Sequence, residues 1–78
     1  MSPILITWQD AVSEDSWEEL ADAINTELHT IYTLGFLIYE DETRYVVAHN
    51  FDIDRDACSQ HIAIPKSWVL DIKMIDVE

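Results

Sequence analysis

Ile4, Ile6 and Trp8 recur at every second position just after Pro3, the period of a β-strand with one face turned to a core. Residues 9–16 are mostly polar and read as a connection. Beyond them the period changes. Trp17, Leu20, Ala21, Ile24, Leu28 and Ile31 fall on one stripe of a 3.6-residue helix, while Glu18, Glu19, Asp22, Asn25 and Glu27 lie mostly off it. Ser16 with Glu19 forms a capping box, and Asp15 with Glu18 forms a second in the adjacent register. Acidic residues in the first turn complement the helix dipole. The spacing predicts an amphipathic helix over 16–28.

Period two returns from Thr30. Residues 31–39 are rich in β-branched and aromatic side chains, residues 40–43 make a polar turn, and residues 44–51 read as the second arm of a hairpin. Gly35, the only glycine, marks a bulge or sharp bend inside the first arm. Residues 52–59 form a charged loop. A short strand over 60–64 is stopped by Pro65, and a last strand runs from 67 or 68 to 75.

Five short strands in 78 residues cannot build two packed sheets of ordinary size, but one bent sheet can close on itself and hide its edges. The stretch Ile62-Ala63-Ile64-Pro65-Lys66-Ser67-Trp68-Val69 resembles the way SH3-like barrels join their last two strands, and a helix ahead of five strands resembles the Sm-like order. The resemblance implies a barrel without the proline-rich-peptide groove of SH3 domains, because their acidic loop pattern and paired tryptophans are missing here. The expected fold is α+β. It comprises one N-terminal amphipathic helix and a strongly bent, mainly antiparallel five-stranded SH3-like or Sm-like barrel. The chain reads as a single domain over 1–78, with a first strand at 1–9, the helix at 16–28 and four further strands within 30–75.

Composition narrows the partners. Sixteen Asp and Glu face four Lys and Arg, a formal net charge of -12, in a chain that is 49% hydrophobic. Such a chain folds, repels polynucleotides and anionic lipid, and attracts basic protein surfaces. One cysteine, Cys58, excludes an intrachain disulfide and fits a reducing compartment. Residues 1–8 lack the basic start of a signal peptide, and no run approaches the ~20 apolar residues that cross a bilayer. A soluble protein of the cytoplasm, with no membrane partner, is expected. A core this small supplies roughly 3–5 kcal/mol. A homo-oligomer therefore stays open, although the charge on each copy opposes it.

Few residues suggest chemistry. Asp52, Asp54 and Asp56 alternate as calcium loops begin, but Ala57 and Ala63 stand where such a loop needs glycine and glutamate, so the cluster reads as solvated charge. Among His29, His49, His61 and Cys58, only Cys58 and His61 have ligand spacing, too few for structural zinc. No glycine-rich turn stands near Cys58 to complete a nucleophilic site. A single glycine excludes phosphate-loop fingerprints. Arg44, Arg55, Lys66 and Lys73 are scattered, and could converge only at a subunit interface. The adjacent carboxylates Glu18 and Glu19, and those of 40–42, share no face. Neither an enzyme nor a cofactor is expected. Trp8, Trp17 and Trp68 fit core positions. Trp17, in the first helical turn, is the one expected to be half exposed, framed by Glu14, Asp15, Glu18 and Glu19.

The layout resembles a family of short, uncharacterised bacteriophage proteins through Thr7-Trp8-Gln9-Asp10, Asp15-Ser16-Trp17, Thr33-Leu34-Gly35-Phe36-Leu37-Ile38, Tyr45-Val46-Val47-Ala48 and Ile64-Pro65-Lys66-Ser67-Trp68. The resemblance implies a small phage product acting in a bacterial cytoplasm by binding a host protein. The expected function is inhibition of a host protein through a basic surface. Trp17, Glu18, Glu19 and Asp22, together with Glu40, Asp41 and Glu42, would make the contact. The alternatives are an oligomeric binder or sponge for a nucleotide-like ligand and a minor virion or assembly component.

Overall fold

The computed structural model describes residues 2–13 and 15–76. Among them, β1 (Pro3–Asp10), β2 (His29–Glu40), β3 (Arg44–Asp52), β4 (Ala57–Pro65) and β5 (Val69–Met74) form one antiparallel sheet in the order β4-β3-β2-β1-β5. A single helical turn, α1 (Leu20–Ala23), lies between β1 and β2, and a 3-10 turn (Lys66–Trp68) joins β4 to β5.

The expected α+β barrel is corrected on two counts. The helix over 16–28 does not form beyond α1. Glu19 caps that turn without a side-chain hydrogen bond, so the expected capping boxes do not start it. The cause is the absence of a surface to pack against. A helix of this length is marginal in water and draws its stability from burying its apolar face. Here Trp17, Leu20, Ile24 and Leu28 are all exposed. No lysine or arginine precedes Arg44 either, so the acids of this segment have no nearby cation to pair along a helix.

The sheet is also open. β4 and β5 are its two edges and do not pair with each other. Five flat strands would set those edges about 19 Å apart, whereas the four-residue step from Pro65 to Val69 spans at most about 14 Å. The sheet therefore bends where the 3-10 turn crosses it. Elsewhere the strands diverge. β2 pairs with β3 from Phe36 onward, while its earlier residues pair only with β1. Past Ala48, β3 pairs only with β4. The result measures 53 × 25 × 22 Å. Its radius of gyration is 16.1 Å, against about 11.5 Å for a compact domain of this length.

The core occupies the bend. Ile4, Ile6 and Trp8 of β1 meet Val47 of β3 and Ile64 of β4, with Ile31, Leu37, Tyr45 and Val69 half-buried around them. Trp8 is 6% exposed, donates from Nε1 to Thr33 Oγ1 at 3.0 Å, and stacks on Trp68 at 6.4 Å. Gly35 sits where β2 presses on β3. A Cβ there would stand 2.6 Å from the Ala48 carbonyl oxygen and 2.7 Å from Val47 Cγ1. The ladder irregularity itself falls later, between Leu37 and Tyr39. Since a backbone atom cannot swing aside, Gly35→Ala is expected to cost about 1–3 kcal/mol, read as a lower urea midpoint with an unchanged slope.

Candidate functional site

The expected contact residues fall into two places. Trp17, Glu18, Glu19 and Asp22 lie in the connection between β1 and β2. That connection turns once at α1, where Ala23 and Asp22 donate their amides to the Glu19 carbonyl and Asn25 Nδ2 donates to the Ala21 carbonyl. Trp17 is 102% exposed, so it touches nothing that would hide its ring. The carboxylates of Glu18, Glu19 and Asp22 take part in no ion pair among the described residues. Glu14, expected to help frame Trp17, lies outside the described residues, as does Met1 of the expected first strand. The segment thus offers an unburied indole among unneutralised acids.

The second place, Glu40 to Glu42, is chemically different. Asp41 staples the β2–β3 turn. Its Oδ1 accepts from the Thr43 amide at 2.8 Å, the Thr43 hydroxyl at 2.9 Å and the Arg44 amide at 3.0 Å. Its Oδ2 meets Arg44 Nη1 at 2.6 Å. These donors, led by the Thr43 amide, hold the carboxyl at about 2, below its ordinary 3.8. Glu40 meets Lys66 Nζ at 2.7 Å. That contact raises the ammonium above its ordinary 10.5. The two cations also sit over aromatic rings, Arg44 over Tyr39 at 5.0 Å and Lys66 over Tyr45 at 4.8 Å.

The turn's charge is therefore largely spent at home, and Asp41 shapes the backbone more than it advertises charge. A carboxyl with a depressed folded pKa stabilises fully above its unfolded value and loses that contribution as pH falls through the folded one. The denaturation midpoint is thus expected to drop as pH goes from about 4 to about 2. Asp41→Asn, measured over the same range, should flatten part of that drop.

The two acidic places do not converge. They stand at opposite ends of β2, whose twelve residues span roughly 35 Å when extended. A partner touching both must be long, or must grip only one.

Other candidate chemistry disperses as well. Asp52 spends its carboxylate on its own turn, accepting from the Asp54 and Arg55 amides and meeting Arg55 Nε at 2.6 Å. The Arg55 contact lowers the Asp52 pKa. No group of three or more His, Cys, Asp or Glu side chains gathers for a metal among the described residues. Cys58 pairs across from Phe51 and His61 across from Ala48, positions of opposite parity on β3. Arg44 and Lys66 flank the β2–β3 turn, Arg55 lies at the tip of the β3–β4 hairpin, and Lys73 lies on β5. Within one chain they form no common anion pocket. An open recess of about 490 Å³ lies along that hairpin, walled by Phe51, Ile53 and Cys58. No helix among the described residues is long and apolar enough to cross a membrane.

No family model, no curated protein and no solved structure matches this chain. The fold and surface define a small, open, antiparallel β-protein with an acidic arm.

One apolar surface escaped the reading of the sequence: the face of the sheet turned away from the core. Its signal was present, because β2 is apolar at both parities, with Tyr32, Leu34 and Phe36 interleaved between Ile31, Thr33 and Leu37.

Proposed function

We propose that this chain is a non-enzymatic protein of the phage type that docks on a basic surface of a host protein in the bacterial cytoplasm and inhibits it. The observation that carries this reading is the fully exposed Trp17 beside Glu18, Glu19 and Asp22, whose carboxylates no cation among the described residues neutralises. An aromatic anchor with an acidic rim suits a cationic partner, the charge steering the encounter and the ring setting the residence time. The turn of Glu40, Asp41 and Glu42 contributes at longer range, and only to an extended partner. Polynucleotides are disfavoured by the net charge of -12.

The connection also supplies a way to bind. A partner that covers Trp17, Leu20 and Ile24 gives the unformed helix the apolar contact it lacks, so ordering and docking occur together. Helical circular dichroism should rise on complex formation.

Capture from a bacterial lysate at low salt, followed by a salt gradient, tests the reading. A basic protein should elute, with an affinity that falls steeply as ionic strength rises. A partner held equally well at low and high salt would refute an electrostatic contact.

A further inference from the structure

The accessible surface of the chain is 6285 Å². A folded monomer of 9.1 kDa exposes about 4,900 Å². The surplus is about 1,400 Å² per chain, and a standard stable interface takes about 800 Å² from each partner. The chain therefore carries more uncovered surface than a finished monomer, an excess shared between the acidic arm and the outward face of the sheet.

The outward face of the sheet is where an uncharged part of that surplus lies. Register sets Leu5 directly across from Leu34, Thr7 across from Tyr32, and Pro3 across from Phe36. Side chains of paired residues share a face, so β1 and β2 present a continuous row without a charge. Tyr32 is 69% exposed and Leu34 54% exposed. On the flanking strand, Lys73 lies across from Leu5, and Asp71 lies across from Thr7. Lys73 makes no ion pair among the described residues.

We propose that this outward face, centred on Leu34 and Tyr32, is covered by the same face of a second copy of the chain. A basic partner has nothing to meet on β1 and β2 here, because the acids lie elsewhere. A second copy is self-complementary: a two-fold axis through the apolar row lets Lys73 of each copy face Asp71 of the other, as isologous contacts require. The net charge of -12 on each copy then acts as a long-range repulsion, which salt screens. This dimer tightens as salt rises, opposite to the behaviour expected of the acidic arm with a basic partner.

Sedimentation equilibrium of the purified chain across a salt series tests the proposal. A monomer–dimer equilibrium that shifts to dimer with salt is the expected result. Leu34→Glu should weaken it at least about 30-fold, and so should Tyr32→Asp, with strand circular dichroism retained in at least one of the two. Asp71→Lys should weaken it and Asp71→Lys with Lys73→Asp should restore it. A wild-type chain that stays monomeric at every salt concentration overturns the proposal. So does a dimer indifferent to a folded Leu34→Glu or Tyr32→Asp variant.

Discussion

Trp8→Ala is expected to unfold the chain at room temperature, seen as loss of the near-ultraviolet signal and of the cooperative urea transition. The indole is the largest side chain in a core whose largest fully hidden members are Ile4, Ile6, Val47 and Ile64. Truncating a buried aromatic costs about 3–5 kcal/mol, and a domain of this size holds about the same in total. Two contacts vanish together: the stack on Trp68 and the hydrogen bond to Thr33 Oγ1. Trp8→Phe separates them. It keeps an aromatic ring and deletes the N–H, so it should cost about 1–3 kcal/mol of stability, read as a lower urea midpoint, and leave the transition cooperative. Full stability in Trp8→Ala would mean that the bend of the sheet is held by something other than this cluster.

Trp17→Ala should do the reverse, leaving stability within about 0.5 kcal/mol of the parent and weakening the proposed host complex by about 2 kcal/mol or more, roughly 30-fold. The indole touches too little of its own chain to matter for folding. Replacing Glu18, Glu19 and Asp22 by their amides should mainly slow association and flatten the salt dependence. Titration calorimetry of the captured partner against each variant reads both effects. A Trp17→Ala variant that binds as tightly as the parent would remove the arm from the contact.

These two tryptophans show what a linear pattern can and cannot tell. Both occupy apolar positions with sensible periodicity, Trp8 at period two and Trp17 at period 3.6. Trp8 is buried because a strand's alternation becomes a face once neighbouring strands pair, and β1 has neighbours on both sides. Trp17 is exposed because a helical stripe needs a second surface, and the connection finds none in its own chain. The acids divide in the same way. In sequence, Glu18 and Glu19 look much like Glu40 and Asp41. Arg44 stands three residues after Asp41 and pairs with it locally, the fold adds Lys66 to Glu40, and the first pair meets no cation among the described residues.

The runs of alternating and β-branched residues were enough to locate the hairpin of β2 and β3, its polar turn and the break at Pro65, because strand geometry and turn chemistry act over a few neighbours. The loop expected over 52–59 proved too long. β4 starts at Ala57 and pairs back onto β3, a cross-strand gain that residue type alone does not register. Whether the sheet closes depends on the distance between its first and last edges, and whether the helix forms depends on what lies beneath it. Both are sums over residues far apart in the chain, so the tertiary structure alone decided them.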